Sequence, residues 1–295
     1  VDTVAMIYGA LVTGVRDYVE KHRFPGVVMG LSGGIDSALT LAIAADALGA
    51  DRVHAVMMPS RYTSQMSLDD AAAQAVAMDV HYSVLSIEPM FDATLATLSD
   101  EFAGRPVDTA EENIQSRCRG VLLMGLSNKT GKMLLTTGNK SEMAVGYATL
   151  YGDMAGGFAP IKDLSKQWVY RVAAWRNANA WPGSRCALVP VIPQRVIDRP
   201  PSAELRSDQK DEDSLPPYEI LDGILSALVE EEASFDDIVA RGYDADTVKR
   251  IEHLLYVSEY KRRQSAPGPK IGFRNFGRDR RYPITNVFRD ARLKG

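Results

Sequence analysis

Cysteine is scarce. Cys118 and Cys186 are the only two in 295 residues, far apart and outside any C-x-x-C pair. That suits a reducing cytoplasm and leaves no zinc site. Cys118 falls in a helical pattern with Ile114, Val121 and Leu122, so core filling is its expected role. No apolar run is long enough to span a bilayer, and no signal-peptide pattern opens the chain. Positive charge is not in excess. Lys and Arg number 34 against 38 Asp and Glu, a net charge of −4 that disfavours generic nucleic-acid binding. Internal repeats are missing. So is the lysine-ending phosphate loop G-x-x-x-x-G-K-[ST]. Its near miss, Gly125 to Met133, is one residue too long and ends on Met133, so it reads as a loop between a helix and a strand.

What is present is an ordinary globular composition, 45% hydrophobic and 24% charged, in a length that fits one large or two small domains. The chain begins at Val1 rather than Met, which is expected of a processed protein or a piece of a longer one. Apolar periodicity predicts helices at 3–22, 37–48, 67–78, 89–102, 109–128 and 164–179, and the start of a short one at 141–147. It predicts strands at 27–31, 52–58, 80–87 and 132–136. Strands alternating with helices predict an α/β fold, a doubly wound parallel sheet with helices on both faces. Right-handed crossovers then bring the loops after Leu31, Met58 and Thr136 to one sheet edge, where ligands bind.

Beyond residue 182 prolines interrupt the pattern. Residues 200–217 are polar, charged and bounded by proline, and predict a mobile loop able to close as a lid. Helices are expected at 217–232, 234–241 and 245–264, with Glu230–Glu232 as a solvated helix end. The tail at 265–295 is basic with interleaved aromatics, and docking on a sister subunit or on ligand phosphates accounts for it as well as nucleic acid does.

The chemistry concentrates in Gly30-Leu31-Ser32-Gly33-Gly34-Ile35-Asp36-Ser37. An apolar strand stops at a small-residue turn, and a helix follows at once. Free N–H groups and the positive end of the helix dipole then face an anion. Gly33 and Gly34 let the backbone approach oxygens that a side chain would block. Ser32 and Ser37 add hydroxyls, and Asp36 adds a carboxylate that could hold a metal. In this strand-turn-helix setting the run is the S-G-G-x-D-S signature of the ATP pyrophosphatases, enzymes that transfer AMP and release pyrophosphate. A second loop, Thr136 to Glu142, also leaves a strand and opens a helix. Glu142 is either a first-turn acid favoured by the dipole or a partner of Asp36 around Mg²⁺. Lys166 lies in the first turn of the 164–179 helix, where the dipole does not favour it and a phosphate would.

With these residues the chain resembles the NAD synthetase family. The match runs through Ser32–Ser37, Glu112-Asn-Ile-Gln-Ser-Arg117, Thr137–Glu142, Tyr151-Gly-Asp153, Lys166, Pro201-Ser-Ala-Glu-Leu205 and Tyr260-Lys-Arg-Arg263. It covers nearly the whole chain, so 1–295 is read as one synthetase domain of the adenine nucleotide α-hydrolase-like fold. The resemblance implies ATP-dependent amidation of deamido-NAD to NAD⁺ through an adenylated intermediate. It implies that residues 30–37, Arg61, Thr137, Lys166 and Ser202 bind ATP. It implies that Asn113, Arg117, Glu142 and Lys261 bind the dinucleotide, that Asp36 and Glu142 hold Mg²⁺, and that Asp36, Glu142 and Lys166 are catalytic.

The chain departs from many ammonia-dependent members in having Tyr260 before the lysine and Gly157 where they place an acid. With Arg61, Glu112–Arg119 and Arg278–Asn286, this resembles the synthetase portion of bacterial glutamine-dependent enzymes, which carry an N-terminal amidase domain. The expectation is the synthetase portion alone, using ammonia, in the cytoplasm, as a homodimer with contacts through 109–128 or 164–179. The competing readings are another amidating or adenylating member such as GMP synthetase, a tRNA-modifying thiolase, and a non-catalytic nucleotide-binding protein.

Overall fold

In a computed structural model, residues 2–184, 189–207, 209 and 211–290 are described. Cys186 lies outside them. Helix α1 (Thr3–Lys21) starts on Asp2, whose side chain accepts the Val4 amide, and buries Tyr8, Leu11, Val12, Val15 and Val19 along one stripe. Then come β1 (Val27–Gly30), α2 (Ile35–Leu48), β2 (Val53–Met57), α3 (Gln65–Ala77) and β3 (His81–Val84). Next are α4 (Glu88–Thr97), α5 (Ser99–Phe102), α6 (Thr109–Thr130), β4 (Met133–Leu135), α7 (Lys140–Val145) and α8 (Lys166–Ala178).

The four strands are all parallel, in the order β3-β2-β1-β4, with Val28 registered against both His54 and Leu134. Alternate residues face opposite ways. Val27, Met29, Val53, Ala55, Met57, Met133 and Leu135 join a core with α1, α2 and α8. Val28, Val56, Met58 and Leu134 join a second core with Phe91 of α4 and Cys118 of α6. Both faces are covered, which is why the strands read as continuous apolar runs. The expected doubly wound sheet is present, and Cys118 fills core.

Several boundaries differ from the sequence pattern. The third strand is shorter than 80–87 because it is an edge strand with exposed ends. The 89–102 helix breaks at Leu98, and α6 runs on to Thr130 before Gly131 ends it in a left-handed conformation (φ +73°). The prolines hid a short helix, α9 (Gln194–Asp198).

The remaining helices are α10 (Tyr218–Leu225), widened by a π-type turn over Ser226–Glu230, then α11 (Phe235–Ala240), α12 (Ala245–Val257) and α13 (Glu259–Arg262). They form a third core with α7, from Val145, Leu221, Ile224, Ile251 and Leu255, into which the tail inserts Phe276 and Tyr282. The described part of the basic tail therefore docks on its own chain. Glu230 and Glu232 are not simply a solvated helix end. Glu230 takes Lys140 at 2.6 Å, and Glu232 pairs with Arg274 and Arg280.

Candidate active site

β1 ends at Gly30, and the Leu31 amide still donates to Val56 O at 2.9 Å before the chain leaves the sheet. The turn that follows is closed on itself. Ser32 N donates to Ser37 Oγ at 3.2 Å, Gly34 N to Ser32 Oγ at 3.2 Å, and Ser37 Oγ to Gly34 O at 3.0 Å. Gly33 sits at φ +79°, and a Cβ there would lie 2.4 Å from Ser67 O, so both conformation and space demand glycine. No side chain caps α2, which begins after Gly34. Its first turn is thus available to an anion.

Asp36, in that first turn, meets two distant segments. Asn139 Nδ2 donates to its Oδ1 at 2.8 Å, and Lys166 Nζ to its Oδ2 at 2.5 Å. Lys166 Nζ also donates to Glu142 Oε1 at 3.1 Å. Asn139 caps α7 with its other end, accepting the Glu142 amide at 3.0 Å, while Glu142 Oε2 accepts the Asn139 amide at 3.3 Å. Glu142 is therefore both a helix-capping acid and a partner of Lys166.

Burial sets the electrostatics. Lys166 is 1% exposed. Burial opposes its charge, but Asp36 and Glu142 outweigh that and raise its pKa. Burial pushes Glu142 up to about 8 against the pull of Lys166, with Asp36 adding to the rise. The Lys166 ammonium also stands 5.1 Å from the centre of the Tyr218 ring.

These groups open on one cavity of about 850 Å³, at the upper end of ordinary small-molecule sites. Its walls come from the loops after β1, β2 and β4, one stripe of α6, and the 200–217 segment.

The NAD synthase family model matches residues 7–265. The chain belongs to the NAD synthase family. It is 57% identical over 288 residues to the glutamine-dependent NAD(+) synthetase of Acinetobacter baylyi, covering 98% of this chain and 52% of that protein. It is 59% identical over 283 residues to that of Rhodobacter capsulatus, covering 96% and 51%. It also aligns with the structure of the Acinetobacter baumannii glutamine-dependent NAD⁺ synthetase in complex with ADP, at 51% identity and a TM-score of 0.65, covering 98% of this chain and 51% of that one. The chain thus spans about half the length of these three relatives.

Within this family fold, most of the expected residues line the cavity: Gly30, Leu31, Ser32, Gly34, Ile35, Asp36, Ser37, Thr137, Glu142, Lys166, Ser202, Asn113 and Lys261. Gly33 lies behind the loop, where its carbonyl accepts Arg199. Asn113 Oδ1 accepts the Thr149 hydroxyl at 2.7 Å, and Lys261 Nζ donates to Gly146 O and Ala148 O. Ser202 Oγ donates to Gln209 O at 2.5 Å.

Two expected residues are not brought to the cavity. Arg61 turns to the acids of α4, pairing with Glu88 and Asp92. Arg117 points away, its Nε donating to Leu150 O at 3.2 Å. Arg119 lines the cavity instead. Its Nε donates to Met58 O at 3.0 Å, and burial pulls its pKa down to about 10. The signal was in the sequence: Thr109, Glu112, Ser116, Arg119 and Leu123 recur at helical spacing, and residue 117 falls off that stripe.

The sequence reading also gave no role to Arg199 and Asp211, which lie outside any motif, or to Glu204, which lies inside the Pro201–Leu205 match. Arg199 Nη2 reaches Ser67 Oγ at 3.1 Å as well as the phosphate loop. Glu204 accepts the Ser64 and Ser67 hydroxyls at 2.8 and 2.7 Å, which fastens the 200–217 segment to the start of α3. Asp211 accepts the Tyr218 hydroxyl at 2.9 Å and lines the cavity beside Lys166, with its pKa raised by burial. At Gly157 a Cβ would lie 2.2 Å from Met133 Sδ, so a larger residue there requires the Met133 side chain to move.

Proposed function

We propose that the chain is a C–N ligase that amidates deamido-NAD to NAD⁺ at the expense of ATP, releasing AMP and pyrophosphate. One observation carries the reading: Asp36, Glu142 and Lys166 come from three separate segments and meet at the mouth of an uncapped phosphate-type loop. Membership of the NAD synthase family supports it.

In the first step the nicotinate carboxylate attacks the α-phosphorus of ATP, and pyrophosphate leaves. The uncapped amides that open α2 hold the triphosphate, and Lys166 turns from the acids to the departing phosphates. Asp36 and Glu142 are the residues that would hold Mg²⁺. The donor set fits, because the oxygen-bearing carboxyl groups of Asp36 and Glu142 already converge on a single cation, the Lys166 ammonium. When bound, magnesium supplies charge compensation for the crowded phosphates. No nucleophilic side chain is required, so catalysis is positioning plus electrostatic stabilisation.

In the second step ammonia attacks the acyl carbon, and AMP leaves with the former carboxylate oxygen. Water must be kept from the mixed anhydride, and the 200–217 segment, latched by Glu204, is suited to that. Arg119, Asn113 and Lys261 are assigned to the dinucleotide, and Thr137 and Ser202 to ATP. In this scheme ammonia is the donor for the chain itself, and an amidase domain in a longer protein would supply it from glutamine. A homodimer would use the exposed apolar face of α6, where Val121 and Met124 line one groove with Tyr151. No helix among the described residues is long and apolar enough to cross a membrane.

The test is chromatography of a mixture of the chain, ATP, Mg²⁺ and either deamido-NAD or xanthosine monophosphate, with ammonium or glutamine. NAD⁺ and AMP are expected with deamido-NAD and ammonium. ATP binding without AMP formation, or amidation of xanthosine monophosphate instead, would overturn the reading.

A further inference from the structure

We propose that Asp222 is a positioning residue that clamps the start of α7 to the start of α8 and so fixes Glu142 against Lys166. Its kinetic consequence rests on the function proposed above, whereas its geometry does not.

α8 opens on Ser165, whose side chain makes no cap bond to the helix. The missing cap comes from another element. Asp222 Oδ2, from α10, accepts the Gln167 amide at 2.9 Å. Its Oδ1 accepts the Ser141 hydroxyl, and Ser141 Oγ in turn accepts the Lys166 amide at 2.9 Å. One carboxylate thus ties the backbone of Lys166 to the residue next to Glu142. A carboxylate at a helix start is favoured by the dipole, and bonds to a charged acceptor are the stronger kind. Asp222 is 8% exposed and Ser141 fully buried, so water does not substitute for either. The same face of α10 carries Tyr218, one turn earlier, whose ring covers the Lys166 ammonium. Asp222 has no bond to Asp36, Glu142 or the Lys166 ammonium among those described, so it acts through α7 and α8 rather than on a ligand.

The experiment compares Asp222→Ala, Asp222→Asn and Ser141→Ala with the unsubstituted chain by two readouts. The first is acylation of lysines by an amine-reactive reagent, followed by mass spectrometry. Lys162, held separately by Ser265 and Ala266, is the internal control. Asp222→Ala is expected to raise Lys166 labelling about 10-fold, the signature of a local opening, while Lys162 is unchanged. Asp222→Asn and Ser141→Ala should give smaller rises. Unchanged Lys166 labelling, or a rise in Lys162 alongside it, would contradict the clamp. The second readout is steady-state kinetics. Asp222→Ala should lower kcat about 10- to 100-fold with less than about a threefold change in KM for ATP. A wild-type kcat in that variant would overturn the proposal. If the unsubstituted chain makes no NAD⁺, the functional reading falls alone, and the labelling still decides on the clamp.

Discussion

Asp46 and Arg176 form a fully buried ion pair ten residues along the same two helices that present Asp36 and Lys166. Arg176 Nε reaches Asp46 Oδ2 at 2.6 Å, and the Tyr8 hydroxyl of α1 donates to the same oxygen. An acid of α2 therefore meets a base of α8 at two levels about 15 Å apart. The deep pair fixes how the helices lie together, and the shallow pair faces the cavity. Arg176→Met should destabilise the fold by about 3–5 kcal/mol, because it strands a buried carboxylate. Urea unfolding checks this, and pairing it with Asp46→Leu should recover much of the loss. A single-variant loss under about 1 kcal/mol would show that the pair does not organise these helices.

Asp36→Ala should reduce pyrophosphate release about 100-fold or more while the chain still folds, since Asp36 is half-buried at the cavity and Lys166 keeps Glu142 as a partner. Lys166→Ala should abolish activity similarly but also lower stability, because that side chain is buried and bonded to both Asp36 and Glu142. Undiminished pyrophosphate release by Asp36→Ala would remove this residue from the mechanism.

Glu142 gives the fold a pH dependence. Folded Glu142 keeps its proton up to about pH 8, whereas an ordinary glutamate loses it near 4.5. Between those values the folded state binds the extra proton. This contribution to stability is therefore fully present below about pH 4.5 and is lost as pH rises through about 8. Denaturant titrations across that range should show Glu142→Gln gaining on the unsubstituted chain as pH rises. Parallel curves would mean that Glu142 is ionised throughout.

Gly157→Asp should destabilise by about 1–3 kcal/mol, since the new Cβ meets Met133 Sδ on an already packed strand. Met133→Ala should restore part of that loss when combined with it. Equal stability of Gly157→Asp and the unsubstituted chain, measured by thermal melting, would show that the loop can move aside.

Local chemistry was legible in the sequence, and cross-chain chemistry much less so. The Ser32–Ser37 turn could be read because strand, glycines and helix start are contiguous. The α/β order followed from alternating periodicity, and the parallel sheet is as expected. Asp36 and Glu142 could be brought together from the shared sheet edge of their two loops, whereas Lys166 was read as a phosphate partner and its bonds to both acids, one of them 130 positions away, were not foreseen. Arg117 was chosen over Arg119 by motif, although the helical stripe of α6 favours Arg119. Asp222 carried no signal, and Glu204, although inside the Pro201–Leu205 match, carried none of its latching role. Each looks like an ordinary acid until its partners, 55 to 140 positions away, are known. The tail was read as a surface for partners because its arginines outnumber nearby acids, whereas Glu230 and Glu232 of the same chain take several of its contacts.

The central claim is that a carboxylate of the substrate captures AMP at the Asp36 and Lys166 site. Deamido-NAD labelled with ¹⁸O in its nicotinate carboxylate tests it most directly. After turnover with ATP and ammonium, mass spectrometry should find one ¹⁸O in the phosphate of AMP and none in pyrophosphate. Label in pyrophosphate, or unlabelled AMP accompanying NAD⁺, would contradict the adenylated intermediate.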